Sequence, residues 1–191
     1  MIRLAAAAFA ASLIAAPALA EPVAYTVDKS HSTIFFSVNH LGFSTIHGHF
    51  AKYDADIVLD EEDLANSKAN VTIDVSSLDT FWDERTEHLL TADFLDVAQF
   101  PTATFVSKSF KKIDENTVAV TGDLTLHGIT KEVVVDFEIT KIGDNPMTNV
   151  PSIGLVGTTT LTRSDFGVGG YAPAVADEVP LRIDMELNQA K

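Results

Sequence analysis

Hydrophobic and polar residues alternate with a period of two over much of the chain. Ile34, Phe36, Val38 and His40 fall on one parity, and Thr33, Phe35, Ser37 and Asn39 on the other. The same alternation runs through Val71, Ile73 and Val75, through Val118, Val120, Leu124 and Leu126, and through Val133, Val135, Phe137 and Ile139. It returns near the C-terminus at Leu181, Ile183, Met185 and Leu187. Successive side chains of an extended strand point to opposite faces, so the pattern predicts antiparallel strands with one packed face and one wet face. About eight segments carry it, at 25–40, 46–59, 69–76, 102–110, 117–126, 129–141, 152–163 and 179–188.

Turn residues separate these segments: Asp114-Glu115-Asn116, His127-Gly128, Gly143-Asp144-Asn145-Pro146 and the Gly167–Pro173 loop. Residues Asp83–Leu95 read differently, with acids in the first turn, Leu90 and Phe94 four apart, and no Gly or Pro. They predict a short helix, and a second helical turn fits Glu61–Asn66. With no internal repeat and no flexible linker, residues 21–191 form one all-β domain: a single antiparallel barrel, lipocalin-like, or a sandwich. Such a barrel has an interior wide enough for side chains or for one slender ligand. Alternation is the same in a filled and a hollow barrel, so periodicity leaves a ligand-free structural protein open.

The first twenty residues predict a different fate. Met1-Ile2-Arg3 is basic, Leu4–Ala16 is apolar except for Ser12, and Ala18-Leu19-Ala20 offers a small-x-small cleavage site before Glu21. This reads as a secretory signal peptide over 1–20, with the mature domain exported to the periplasm. The chain has 13 Lys and Arg against 27 Asp and Glu, a net charge of -14, and no Cys. Cleavage would remove Arg3, leaving 12 basic against 27 acidic residues and a net charge of -15. So acidic a surface repels nucleic acid and anionic lipid headgroups, and no stable membrane insertion is expected. Without disulfides, stability has to come from apolar burial. The sequence is compatible with a monomer or a homodimer.

Catalytic and metal motifs are scarce. His47 and His49 lie two apart on a strand and share a face, but two His make no site and no HExxH or EF-hand loop accompanies them. No G-x-S-x-G elbow occurs, and the acid pairs Glu61-Glu62 and Asp54, Asp56 read as solvated turns or faces. His40 and Arg163 fall on inward parities. A buried Arg needs partners, so Arg163 is expected to pair with a carboxylate such as Asp83 or Asp165, or to hold the polar head of a ligand. The Gly167–Tyr171 loop is expected at the barrel mouth.

Four blocks give a resemblance. Tyr25–His40 with Gly48-His49-Phe50, Asp83–Asp96 with Phe100–Phe105, Gly122–Thr130, and Arg163–Gly167 resemble, in order, the motifs of the YceI family of polyisoprenoid-binding periplasmic proteins. Members often carry Arg-Asp before the x-His-Leu of the second block; this chain has Arg85-Thr86-Glu87-His88-Leu89. The resemblance implies an extended lipocalin-type barrel whose apolar pore holds an isoprenoid chain such as a ubiquinone tail. It implies no enzyme activity, cofactor or metal. On that reading Ile34, Phe36, Val38 and His40 face the ligand, with Phe43 beyond them and His88 and Phe94 in the helical segment. Leu124, Leu126, Phe137, Leu161 and Arg163 join from the later strands. Phe166, Tyr171, Leu181 and Ile183 complete the set. The expected function is a periplasmic carrier or reservoir for an amphiphilic polyisoprenoid, such as an isoprenoid quinone. A periplasmic hydrolase or metal-dependent enzyme on a barrel scaffold is the alternative from another class.

Overall fold

The computed structural model describes residues 21–191; the expected signal peptide lies outside them. The strands are β1 (Val23–Val27), β2 (Thr33–His40), β3 (Ser44–Phe50), β4 (Tyr53–Leu59), β5 (Lys68–Asp74) and β6 (Leu78–Asp79). They continue with β7 (Thr102–Lys112), β8 (Thr117–Leu126), β9 (Ile129–Asp144), β10 (Pro151–Thr162) and β11 (Glu178–Gln189). All neighbours are antiparallel. The order β1-β4-β5-β7-β8-β9-β10-β11 closes where β1 pairs again with β11, giving an eight-strand barrel from which β2, β3 and β6 branch.

The barrel itself has the expected count of about eight strands, and the total is eleven because segments 25–40 and 46–59 are each broken once and the short β6 follows segment 69–76. In segment 25–40, the Asp28 carboxylate accepts the Ser30 N–H at 2.9 Å, an Asx turn that interrupts the ladder. Val27 pairs with Leu187 and Thr33 with Asp184, so β1 and β2 lie end to end along β11. Segment 46–59 parts at Ala51-Lys52 into β3 against β2 and β4 against β1. The third break follows Asp74, whose carboxylate caps the 3-10 turn Val75–Ser77 by accepting the Ser76 N–H at 2.9 Å. Beyond it, β6 pairs only with the end of β3.

Helix α1 (Asp83–Leu89) is shorter than predicted. It ends because Thr91 folds back: its hydroxyl donates to the His88 carbonyl at 2.8 Å, and its own carbonyl accepts the N–H groups of Phe94 and Asp96. Asp83 and Glu84 occupy its first turn, where the helix dipole favours negative charge. The second expected turn is a 3-10 turn at Leu64–Asn66, capped by Asp63.

At the ring-closed end, Tyr25, Ile57, Ile153 and Leu187 form the core, with Leu187 only 1% exposed. Ile57, Ile153 and Leu187 of this cluster also border a hollow inside the barrel.

Candidate ligand cavity

Two adjoining chambers lie in the interior. The lower one, about 210 Å³, lies within the ring-closed strands; its wall includes Val71, Phe105, Val120, Val135, Phe137 and Met185. The upper one, about 450 Å³, lies between β2, β3, the start of β11, the α1 segment and the loop after β10. Ile34, Leu161 and Leu181 line both and form the waist between them. Each sits on the apolar parity of its strand. Burial of large hydrocarbon surface without filling the space is the arrangement of a ligand cavity rather than of a close-packed core.

The far end of the lower chamber is bounded by Asp60, Glu61 and Leu64. Asp60 is 3% exposed, and its carboxylate accepts from the N–H groups of Glu62 and Asp63 and from the Asn66 amide. The Asn66 bond first, then these N–H groups, hold its pKa below the ordinary value. Its charge is therefore satisfied within the wall and does not face the chamber unpaired. Tyr53 lines the same chamber, and burial pushes the pKa of its hydroxyl up, opposed by a contact with Ser32.

Polar groups gather at the upper chamber. Arg163 does not pair with Asp83 or Asp165, correcting the expected ion pair. Its Nε donates to the Ala176 carbonyl at 3.0 Å, Nη1 to Val168 at 2.9 Å and Gly170 at 3.2 Å, and Nη2 to Val175 at 3.1 Å. Asp165 instead lies 3.9 Å from Lys131. The cause is local: the 3-10 turn Arg163–Phe166 swings Asp165 to the surface, while the following loop wraps its carbonyls around the guanidinium. Desolvation by burial lowers the Arg163 pKa, opposed by the charge of Asp177. With four bonds to carbonyls, Arg163 has one of its five N–H groups left for a ligand.

Arg85 is the cation that sequence reasoning passed over. It donates from Nε to the Thr80 hydroxyl at 3.0 Å and from Nη2 to the Thr80 carbonyl, and it lies 5.5 Å from the Trp82 ring centroid. Thr80 is fully buried. Thr86 bonds the Thr80 hydroxyl at 2.9 Å and accepts the Thr80 N–H at 3.1 Å. A neutral hydroxyl network thus holds Arg85, which keeps three N–H groups for the chamber that it lines. Its place in a polar helical stretch gave no inward parity to read.

Of the residues expected at a ligand, Phe36, Val38, His40, His88, Phe94 and Leu126 line the upper chamber. Arg163, Phe166 and Tyr171 line it as well, while Leu124, Phe137 and Ile183 line the lower one, with Ile34, Leu161 and Leu181 between. Phe43 stands apart. It is 90% exposed at the β2–β3 turn and belongs to neither wall, because Leu41 at φ 58° and Gly42 at φ 76° turn the chain outward before it. Residues that the sequence reading missed include Tyr53, Phe105, Phe110, Trp82 and Arg85; Tyr53 and Phe105 were legible from alternation, whereas Phe110, of opposite parity to Phe105, faces inward only because a bulge between Ser107 and Ser109 shifts the register.

His47 and His49 point to the outer face, opposite in parity to Ile46 and Phe50, which line the cavity. His49 lies between the rings of Phe35 and Phe81, at 5.9 and 5.5 Å. A different trio, Asp28, His31 and Glu186, brings its donor atoms within 4.8 Å of one another. Each is already engaged: Asp28 with Ser30 and His31, and Glu186 Oε1 with the Asn145 amide at 3.1 Å.

A closed antiparallel barrel enclosing an apolar, two-chambered tunnel with polar groups at one end defines a lipocalin-like binding fold. The chain belongs to the YceI-like family, whose model matches residues 25–187. It is 37% identical over 183 residues to Protein YceI of Escherichia coli, covering 95% of each chain. It is 40% identical over 169 residues to a UPF0312 protein of Pseudomonas savastanoi, covering 87% of each. Among solved structures, BcnA of Burkholderia cenocepacia superposes with a TM-score of 0.76 at 27% identity, covering 84% of this chain and 98% of that one. A polyisoprenoid binding domain from Saccharophagus degradans superposes with a TM-score of 0.67 at 14% identity, covering 88% and 99%, a likeness of fold.

Proposed function

We propose that this protein is a non-enzymatic carrier or reservoir for an amphiphilic polyisoprenoid, acting in the periplasm after removal of residues 1–20. The observation that carries the reading is that two apolar chambers adjoin at Ile34, Leu161 and Leu181, an arrangement suited to a flexible hydrocarbon chain that spans both. Family membership and the fold shared with a polyisoprenoid binding domain support it. An isoprenoid quinone is the preferred cargo. Its tail would occupy the tunnel, and its ring oxygens would take hydrogen bonds from Arg85, with His40 and His88 beside it in the upper chamber. Burial of each methylene is worth about 0.8 kcal/mol, whereas one hydrogen bond from a cation is worth roughly 1.5–3 kcal/mol. The tail therefore sets affinity and the head sets orientation.

No resident cofactor or metal enters the proposal. Solvent extraction of protein purified from the host periplasm, with mass spectrometry of the extract, is the test. Stoichiometric prenyl lipid is the expected result, and an empty extract from a quinone-producing host would reject the reading.

A further inference from the structure

The upper chamber is framed by large apolar side chains that face water. Phe43 is 90% exposed, Tyr171 69%, Trp82 56% and Leu41 49%. They come from three separate segments: the β2–β3 turn, the start of α1 and the loop after β10. Contacts bring the segments to one opening. The Leu41 N–H donates to the Ala174 carbonyl, His40 bridges to Val175, and Trp82 and Tyr171 both line the chamber whose wall continues through His40 and Val175. Phe94 ties the loop to the helical segment by lying 5.9 Å from the Tyr171 ring and 5.1 Å from His88. The result is an interrupted ring of aromatic and aliphatic groups around a cavity mouth rather than a flat patch.

We propose that this rim is a docking surface for an electrically neutral lipid bilayer, into whose interface Phe43, Leu41, Trp82 and Tyr171 insert. The inference rests on the proposed function, since a polyisoprenoid resides in a membrane and must pass the mouth. Trp and Tyr carry an apolar body and a polar tip, which suits the headgroup level, while Phe and Leu suit the depth just beneath it. Charge selects among occupants. Asp83, Glu84, Glu87 and Asp93 sit on or beside α1 next to the rim, and the neighbouring cation, Arg85, is tied to Thr80. Anionic headgroups would meet these carboxylates, and so would a second copy docked mouth to mouth; a zwitterionic surface would not.

Trp82 is the protein's single tryptophan, so its emission reports on the rim directly. Purified protein is mixed with phosphatidylcholine vesicles and with vesicles containing phosphatidylglycerol, and followed by Trp82 fluorescence and by flotation. A blue shift with co-flotation on phosphatidylcholine, weaker on the anionic vesicles, is expected. Phe43→Asp should lower partitioning about tenfold or more by placing a charge in the interface. Leu41→Asn, which suits the positive φ there, should lower it about threefold or more. Phe43→Asp should leave the prenyl lipid extracted per mole of protein unchanged, because Phe43 lies outside both chamber walls. Absence of shift and flotation on phosphatidylcholine overturns the proposal, as does preference for anionic vesicles. A blue shift that grows with protein concentration in the absence of vesicles also overturns it, in favour of a second copy on this face. If extraction yields no prenyl lipid while phosphatidylcholine binding persists, docking stands and the carrier reading falls; lipid-loaded protein that ignores vesicles gives the reverse.

Discussion

The ring of Phe36 on β2 occupies the space that a side chain on its cross-strand partner Gly48 would need. A Cβ at residue 48 would lie 2.3 Å from the Phe36 Cζ. Phe137 and its partner Gly157 repeat the arrangement at 2.5 Å. Because each Gly presents no side chain, each ring can spread over the wall instead of projecting across the cavity. Gly48→Ala should therefore drive Phe36 into the upper chamber, costing about 1–3 kcal/mol from overpacking and reducing the bound lipid. Urea unfolding and solvent extraction of the variant measure both; an unchanged midpoint with full lipid content would refute this account of the wall.

Arg163 acts on the loop before it acts on any ligand. Its four bonds join the Val168–Gly170 and Val175–Ala176 carbonyls, and Val168, Gly170, Tyr171 and Val175 from the same loop line the upper chamber. Arg163→Met keeps much of the apolar stem but leaves these carbonyls without their cation, a loss of about 2–4 kcal/mol. Hydrogen exchange should rise first across 168–176, with little change in β7 or β8. Uniform loosening of all strands would instead mean that Arg163 supports the barrel as a whole.

The inward parities of β2, β8, β9 and β11 were legible because a two-residue period survives whatever the interior contains: Val133, Val135, Phe137 and Ile139 all line the lower chamber. The hollow was not legible, since the same residues could have met in a filled core. The breaks after β1 and β5 were signalled only by the Asp28-x-Ser30 and Asp74-x-Ser76 pairs, which resemble ordinary polar positions of an alternating strand, and the break at Ala51-Lys52 has no such pair. Bulky residues at positive φ, such as Leu41 and Phe81, break local preference and are set by tertiary contacts. Arg163 showed its inward parity, but its partners are main-chain carbonyls of a loop, which no residue type announces.

The turn between β1 and β2 should respond to pH through Asp28 and His31. The Asp28 carboxylate accepts the Ser30 hydroxyl at 2.6 Å and N–H at 2.9 Å and lies 3.0 Å from His31 Nδ1. Bonds from Ser30 and then His31 lower its pKa from 3.8 to about 2. Its contribution is thus present above the unfolded value of 3.8 and lost as pH falls through about 2. The Asp28 contact raises the His31 pKa above 6.5, so that contribution is present below 6.5 and lost as pH rises through the raised value. Asp28→Asn retains an oxygen for the turn while removing the charge. The stability gap to wild type should be widest at about pH 5–6 and narrow on both sides, and should shrink in salt because the His31 side chain is 67% exposed. Urea unfolding across pH 3 to 9 at low and high salt, buffered in roughly unit steps, tests the shape; a gap that is flat with pH would show that only the turn geometry matters.

The waist decides whether the chambers hold one molecule. Leu181 lines both, and its strand partner across the sheet is Phe36, so a larger side chain at 181 projects into the passage rather than into the wall. Leu181→Trp should leave the upper chamber open and exclude the tail from the lower one. Losing two isoprene units from apolar surroundings, about ten carbons, removes on the order of 5–8 kcal/mol of transfer free energy, so long-chain lipid should fall below detection while shorter chains persist. Leu126→Trp, placed in the upper chamber, should instead reduce lipids of every chain length. Circular dichroism confirms that each variant folds, and quantitative mass spectrometry of the extracts reads the chain-length distribution. Equal retention of the longest wild-type lipid in Leu181→Trp would mean that the tail never passes the waist and that the upper chamber alone is the binding site.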